Sequence, residues 1–295
     1  MKTAGDLVGR IAAIQEKAKQ QNNHALAPIA SLKSNVVQLP MWPDMVRGVP
    51  NAALRSALFG AIKRGARSYL ERQEIHAQEG VKIIYTGARL DQGDLDVWEA
   101  VLHVVRMQEL GDECRVTAYQ LLKILGKTDT GINRDTLERR LSRMKATGVD
   151  VSVGRYGYEG SLIDEVYRDK ETREYIIRLN PKLSALFAAD QFTQVDWNVR
   201  RALDGKPMAQ WLHGFYASHA KPFPLKVETL HRLCGSEAKR MSDYKIDLRR
   251  NLEAVTEASA AYDEGFSYDI CGDLVYVEKK ASGPQRRHLT KKGKQ

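Results

Sequence analysis

The feature that most constrains the fold is an order of elements that occurs twice along the chain. Residues 117–178 read as a helix ending at Gly126, a polar turn, a basic helix ending at Gly148, and a β-hairpin with turn residues in DKET. After one further helix, residues 224–280 repeat the order, with Gly235 between the two helices. A helix-turn-helix followed by a β wing is a winged helix. The sequence therefore predicts an α+β protein with tandem winged-helix domains.

Changes in patterning along the chain predict four parts. Residues 1–46 contain a Gln/Asn-rich run and are predicted to be a flexible N-terminal arm. Residues 47–190 are predicted to form the first winged-helix domain, and residues 191–281 the second, which is the main DNA reader. Residues 282–295 have no acidic residue and no apolar period, so they are predicted to be a disordered basic tail.

The start of the first domain has its own pattern. Apolar residues recur at four-residue spacing at Leu54, Leu58 and Ile62, which predicts a long helix over residues 50–64. Two alternating segments then predict strands joined through Gly80.

Composition and charge favour an anionic partner. The chain has 46 Lys and Arg against 37 Asp and Glu, a formal net charge of +9. Such a balance is typical of nucleic-acid-binding proteins, although a basic protein without that partner could carry it. Three scattered cysteines predict reduced thiols in the cytoplasm. No run of ~18 apolar residues and no leader-like start is found, so neither a membrane span nor secretion is expected.

The basic helix of the first predicted domain has two faces at 100° per residue. An apolar stripe on one side is formed by Leu137, Leu141 and Met144. The opposite side carries the candidate DNA-binding residues Arg139, Arg140 and Arg143. A guanidinium can bind phosphate or the guanine edge bidentately, but a solvated charged face has the same pattern.

The basic helix of the second predicted domain indicates DNA contact more strongly. Its buried stripe is predicted to be Tyr244, Leu248, Leu252 and Val255. Recognition helices place their N-terminal residues against base edges in the major groove. The candidates in that zone and beside the stripe are Lys239, Arg240, Ser242, Lys245 and Arg249.

The segment QLPMWPD, residues 38–44, places Met41 and Trp42 between two prolines. Because proline disfavours helix interiors and central strands, the pattern predicts a tryptophan held in a loop. Two roles stay open for Trp42. It could anchor a partner protein, or it could pack against the first winged helix near Val46 and Val49.

Patterns typical of enzymes and metal sites are weak. Gly126 begins GKT, but Leu121 stands where a Walker A loop needs its first glycine. His231 and Cys234 are spaced like zinc ligands without a second pair of similar spacing. The sequence therefore predicts no catalytic residue, no metal and no cofactor.

Three stretches resemble the TrfA family of plasmid replication initiators. They are PMWPDMVRGVPNAALRSALFGAI, YTGARLDQGDLDVWE and LGKTDTGINRDTLERRLSRM, and the similarity runs from about Val36 to Lys280. The resemblance implies a non-enzymatic bacterial initiator that binds directly repeated origin sites, called iterons, and helps to open AT-rich DNA. It also implies that the second domain makes the principal base contacts.

The resemblance further implies a set of partners. They are double-stranded iteron DNA, single-stranded origin DNA as a further candidate, the host replicative helicase, the host initiator and the sliding clamp. Self-association between an active monomer and an inactive dimer is also implied. The family's clamp-binding pattern resembles Q-L-x-L-F, and the matching residues here are Gln38, Leu39, Pro40, Met41 and Trp42. Met41 and Trp42 replace the usual leucine and phenylalanine with similar apolar volume.

Two other classes of protein remain as alternatives. A winged-helix transcriptional repressor would use the same domains, and initiators often repress their own promoters. A nicking replication enzyme would need a metal-binding His-x-His and a nucleophilic tyrosine, and the sequence contains no His-x-His.

Overall fold

The computed structural model describes residues 38–292, except residues 64, 66, 110–112, 155, 170, 173 and 189. Most of the predicted N-terminal arm, residues 1–37, lies outside the described residues. The mixed α+β class is confirmed, because the described chain alternates helices with antiparallel strands.

The helices and strands have the following bounds. The helices are α1 (Asn51–Leu54), α2 (Gln92–Val105), α3 (Ala118–Ile124), α4 (Gly131–Lys145), α5 (Trp197–Ala202), α6 (Pro207–Ala217), α7 (Val227–Leu233), α8 (Met241–Ala260) and α9 (Gly283–Lys292), with a 3-10 helix at Pro181–Phe187. The strands are β1 (Val46–Pro50), β2 (Phe59–Gly60), β3 (Tyr69–Glu74), β4 (Val81–Ala88), β5 (Leu90–Asp91), β6 (Cys114–Thr117), β7 (Gly148–Val153), β8 (Tyr156–Gly160), β9 (Glu165–Arg168), β10 (Glu174–Arg178), β11 (Phe192–Asp196), β12 (Leu225–Lys226), β13 (Phe266–Cys271) and β14 (Leu274–Lys279).

Two hydrophobic cores organise the described chain. The first core takes its buried side chains from residues 39–195, and the second takes them from residues 199–277 together with Ala61. Leu39 and Trp42 already belong to the first core. These two residues are therefore packed, which corrects the prediction that the free arm extends to residue 46.

Each core is built around the same order of elements. Next to the first core, β6, α3, α4, β9 and β10 follow α2, and the sheet order is β6-β10-β9. In the second core, β12, α7, α8, β13 and β14 follow α6, and the sheet order is β12-β14-β13. In both sheets the last strand therefore lies between its hairpin partner and the short strand that precedes the helix pair.

Local sequence explains why the predicted helix pair of the first unit forms. Thr117 begins α3 with a capping box, in which Thr117 Oγ1 accepts from Gln120 N and Gln120 Oε1 accepts from Thr117 N. Gly126 has φ +67°, which ends the helix in the left-handed region that glycine adopts without strain. Thr130 caps α4, because its side chain accepts from Asn133 N.

The predicted long helix over residues 50–64 is wrong. The structure has one helical turn, α1, after which β2 pairs in parallel with β5. Ser56 Oγ donates to Ala52 O and accepts from Leu58 N, so its hydroxyl competes with the helical backbone bonds. Leu58 packs in the first core and Ala61 in the second, so the chain passes between cores within this segment.

The prediction of a single hairpin after α4 also needs correction. β7 and β8 form one hairpin within a four-stranded sheet of order β3-β4-β7-β8, and β9 and β10 form another beside β6. Gly154, with φ +56°, turns the first hairpin. The DKET turn belongs to the second.

The predicted disordered tail is wrong for residues 283–292, which form α9. Gln285 attaches this helix to the second core, because its Nε2 donates to Ala217 O at 2.7 Å and its Oε1 accepts from Lys279 Nζ at 2.9 Å. Ser282 and Gln285 form the S-x-x-Q pattern of a capping box, and Ser282 N donates to Gln285 Oε1. The basic character of the segment is unchanged.

A buried ionic cluster joins the two cores. Arg200 on α5 is 0% exposed, and its Nε lies 2.7 Å from Asp96 Oδ1 and 3.1 Å from Glu99 Oε2, both on α2. Its Nη2 donates to the backbone and side-chain oxygens of Gln92, at 3.1 and 3.2 Å. Gln210 on α6 donates to Asp96 from the other side, at 3.2 Å to Oδ2. Helix α2 of the first core is thus tied to α5 and α6 of the second.

The cluster has one guanidinium for two carboxylates. Asp96 accepts hydrogen bonds from both Arg200 and Gln210, whereas neither Glu99 oxygen has hydrogen-bond geometry toward a described residue. Burial raises the pKa of Glu99 to about 7, although Arg200 opposes that rise. Glu99 is therefore the member of the cluster that carries a proton on the acidic side of neutrality.

Glu99→Gln is expected to remove a pH-dependent loss of stability. The pKa of Glu99 is about 7 in the folded chain, above its ordinary value of 4.5. Stability from this group is therefore fully present below the ordinary pKa and is lost as the pH rises through about 7. In urea unfolding, the free energy of unfolding of wild type should fall by about 2 kcal/mol relative to that of E99Q as the pH rises from roughly 5 to roughly 8.

Glu257→Gln on α8 is the matched control for this measurement, because Glu257 is exposed and the substitution makes the same change. It should leave the wild-type pH profile unchanged. Parallel profiles for E99Q and wild type would show that Glu99 is not held protonated by burial.

Candidate nucleic-acid interface

Helix α8 presents one buried and one exposed face, as predicted. The buried residues are Tyr244, Leu248, Leu252 and Val255. The five sequence-predicted candidates Lys239, Arg240, Ser242, Lys245 and Arg249 are all exposed. The structure therefore brings these five side chains together at the N-terminal half of a 20-residue helix.

The start of α8 is fixed by local contacts. Gly235, with φ +61°, ends α7, and His231 Nε2 lies 3.0 Å from Ala238 O in the turn between the helices. Arg240 is the N-cap residue, and its Nε lies 2.9 Å from Asp243 Oδ2. Asp243 in the first turn also complements the positive end of the helix dipole. Arg240 is consequently held beside the helix terminus while it remains exposed.

Lys245 links α8 to the turn of the β13–β14 hairpin. Its Nζ lies 2.6 Å from Asp273 Oδ1, and this hydrogen bond holds the pKa of Asp273 below its ordinary value. Gly272, with φ +60°, makes the turn, and Asp273 O accepts from Val227 N at the start of α7. The N-terminal half of α8, the hairpin turn and the start of α7 therefore converge.

The cations on α8 differ in how strongly they are engaged. Among the described residues, no carboxylate oxygen lies within 4 Å of the charged atoms of Lys239 or Arg249. Arg240 and Lys245 take part in ion pairs that are exposed on both sides, and such pairs contribute little and are easily exchanged. The face can therefore offer its charge to an anionic ligand.

Helix α4, the basic helix of the first unit, only partly matches the prediction of a face with three exposed arginines. Leu137, Leu141 and Met144 are buried and Arg139 is exposed, as predicted. Arg140 and Arg143, however, fold back onto the N-terminus of α2, which corrects the prediction of three free guanidinium groups.

The acceptors are the capping carboxylates of α2. Arg143 Nη1 lies 2.8 and 2.6 Å from the two oxygens of Asp94, and Arg140 Nη1 lies 3.9 Å from Asp91 Oδ1. Asp91 is the N-cap of α2, and it forms a capping box with Asp94. Burial raises the pKa of Asp94, with Asp91 adding to the rise and the two arginines opposing it. Because these carboxylates lie at the start of α2, the sequence of α4 alone does not predict that Arg140 and Arg143 are paired.

The segment 38–44 is packed rather than free. Leu39 and Trp42 are 2% and 3% exposed, whereas Met41 is 56% exposed. The indole lies against Gly48, where a Cβ would come within 2.6 Å of the ring, and its centroid is 6.2 Å from that of Phe187. This agrees with the packing role left open for Trp42 and corrects the interpretation of an extended peptide outside the first unit.

Polar contacts hold the same segment against α2. Trp42 Nε1 donates to His103 Nδ1 at 3.2 Å, so His103 carries its proton on Nε2, which lies 3.3 Å from Asp44 Oδ1. Burial lowers the pKa of His103 to about 4, which keeps the imidazole neutral. Arg106 Nε donates to Trp42 O, and Gln38 Nε2 donates to Arg106 O. Clamp binding through this segment stays a prediction, and it requires Leu39 and Trp42 to leave the first core.

The fold of this chain is similar to that of a solved structure. The chain resembles the crystal structure of domains 2 and 3 of RctB, with a TM-score of 0.52 and 12% identity over 79% of this chain and 98% of that one. Within the described residues, no helix combines the length and apolar character needed to cross a bilayer.

Sequence relatives define the class of protein. The chain is 24% identical over 247 residues to RepFIB replication protein A of Escherichia coli, covering 80% of this chain and 73% of that protein. It is 31% identical over 253 residues to the plasmid replication initiator protein TrfA of Escherichia coli, covering 83% of this chain and 65% of that protein. These relatives are named as replication proteins, and the class is that of plasmid replication initiators.

Residues 1–275 match the family described as TrfA protein. The chain belongs to the TrfA family, as the three sequence stretches indicate.

Trp42→Ala is expected to destabilise the protein. Removing a fully packed tryptophan costs about 3 kcal/mol or more, because the indole leaves a cavity and His103 loses its donor. Met41→Ala is the matched control, since this exposed neighbour should change the free energy of unfolding by less than ~0.5 kcal/mol. Urea unfolding measures both. Equal stability of the two variants would show that the segment does not pack as described.

Proposed function

We propose that this chain initiates plasmid replication by binding repeated sites in the plasmid origin through two winged-helix domains. In this proposal the units around the first and second cores are the two domains, with the predicted boundary at residue 190 moved beyond β11, which pairs with β1, and α8 of the second domain reads base edges. The observation that carries the proposal is the exposed basic face of α8 beside the turn of a β-hairpin.

The winged-helix assignment is supported by the repeated order of elements. In each unit, a helix, a short strand and two helices precede a hairpin that pairs with the short strand in the same sheet order, and in the first unit the β7–β8 hairpin comes between α4 and that hairpin. In a helix-turn-helix the second helix enters the major groove. That helix is α4 in the first unit and α8 in the second, and the β9–β10 and β13–β14 hairpins are the wings.

The charge distribution favours the second unit as the base reader. Helix α8 offers Lys239 and Arg249 without carboxylate partners among the described residues, and Lys245 in an exposed pair. Of the three candidate arginines on α4, Arg139 alone is exposed. We infer that the first unit makes fewer DNA contacts than α8 does, and that these contacts position the protein on the phosphate backbone.

The hairpin turn adds a second point of attachment. Because Lys245 pairs with Asp273 across the gap between α8 and the wing, helix and wing would meet the duplex together. Lys245 would exchange this carboxylate for a phosphate or base acceptor on binding. Such an exchange retains a charge-assisted bond, so it costs little when both partners are exposed.

Later steps of initiation rest on family membership. We propose that the bound chain helps to open AT-rich origin DNA and recruits the host helicase with the host initiator. Clamp recruitment through Gln38, Leu39, Met41 and Trp42 and regulation by a monomer–dimer balance are parts of the same proposal. Opening of a supercoiled origin plasmid in the presence of helicase separates an initiator from a repressor that uses the same domains.

The double variant Lys245→Ala, Arg249→Ala is expected to lose DNA affinity without loss of stability. Both side chains lie off the buried stripe, and each phosphate contact contributes ~0.9 to the salt slope, so the slope should fall by up to about 1.8. A base contact would add a loss of ~1–3 kcal/mol. Fluorescence anisotropy over a KCl series should be measured on duplexes that this protein enriches from a random pool.

Lys63→Ala, Lys182→Ala is the matched control, because it removes two exposed positive charges outside α8. It should retain most of the affinity. Equal losses in the two double variants would indicate attraction by net charge alone, and failure to enrich any duplex would contradict DNA recognition itself.

A further inference from the structure

Ile246 is an exposed aliphatic residue in the middle of the basic face of α8. Its side chain is 65% exposed, although the neighbouring helical positions are polar or charged. Isolated exposed apolar residues are ordinary, so exposure alone assigns no role. The role of Ile246 follows instead from its position among the polar residues of this face.

At 100° per residue, Ile246 lies roughly opposite the buried stripe of α8. Ser242 and Arg250 lie four residues before and after it, and Arg249 lies three residues after it, so these side chains surround it on the helix surface. Arg250 is drawn toward Asp247, with 2.6 Å between Nη2 and Oδ1, which leaves the aliphatic surface of Ile246 open. Ile246 therefore lies on the side of α8 that faces away from the second core.

The surroundings of Ile246 select among possible occupants. A protein partner would require a continuous apolar patch, whereas this side chain is a single apolar point among serine, lysine, arginine and two aspartates that pair with Arg240 and Arg250. The floor of the DNA major groove offers a matching pattern. It presents oxygen and nitrogen acceptors for cations, and the thymine 5-methyl is the apolar group displayed there.

We propose that Ile246 reads a thymine by packing against its 5-methyl group in the major groove. This inference rests on the proposed function of α8 and names a specificity-determining residue within it. Lys245 and Arg249 would hold phosphates or guanine edges on either side, so the methyl contact would be enclosed by polar contacts and shielded from water. A cytosine at the same place would present its amino group to an aliphatic side chain that cannot accept a hydrogen bond.

The test uses a methyl deletion on the DNA. Each thymine of a duplex enriched by the wild-type protein is replaced in turn by deoxyuridine, which removes the 5-methyl and keeps the pairing. At one position or more, wild-type affinity should fall about fourfold, equivalent to ~0.8 kcal/mol for one buried methyl group. Ile246→Ala should bind the thymine duplex about fourfold more weakly and should not distinguish thymine from uracil at that position.

Phe223→Ala is the matched control, since Phe223 is 74% exposed and lies outside α8. It should keep the wild-type preference for thymine. Ile246→Ala should retain its fold, because alanine is the better helix former at an exposed site, and the thermal midpoint checks this.

The outcomes separate this inference from the proposed function. Enrichment of a duplex, followed by a wild-type protein that loses no affinity at any uracil, would overturn the role of Ile246 and leave DNA recognition intact. Persistence of the full thymine preference in I246A would also overturn it. Failure to enrich a duplex at all would contradict the proposed function instead.

Discussion

A single buried arginine holds the two cores in register. Arg200 has no exposed surface, so its charge has to be balanced inside the protein, and α2 supplies the balance through Asp96 and Glu99. Removing one partner of such a cluster leaves an uncompensated buried charge, which commonly costs about 3–5 kcal/mol. Helix α2 therefore joins the two units, together with contacts such as Arg89–Glu237 and Trp211 Nε1 to Ser56 O.

The same helix also determines which cations remain exposed. Its capping carboxylates, Asp91 and Asp94, pair with Arg140 and Arg143. Arg200 pairs with Asp96 and Glu99, which follow in the same helix. The acidic residues of α2 thereby neutralise arginines from both units. Among the described residues, the ion pairs of Arg240, Lys245 and Arg250 are more exposed than those of Arg143 and Arg200, so the face of α8 stays basic and open to solvent.

Local signals in the sequence predicted much of this architecture. Capping residues such as Thr117, the glycines that end α3 and α7, and the apolar stripe of α8 all lie within a few residues of the elements they define. The failures have tertiary causes. The packing of Trp42 against Phe187 and the ion pair of Arg143 with Asp94 join residues far apart in sequence. The helix at residues 283–292 is different, because its S-x-x-Q signal is local and was available in the sequence.

The central claim is that α8 and the adjacent hairpin turn, rather than α4, lie against the bases. Zero-length ultraviolet crosslinking of the intact protein to an enriched duplex, with the crosslinked peptides identified by mass spectrometry, tests it most directly. We expect crosslinks concentrated in residues 239–250, with additional ones at the turn between β13 and β14. Crosslinks confined to α4, with none on α8, would contradict it.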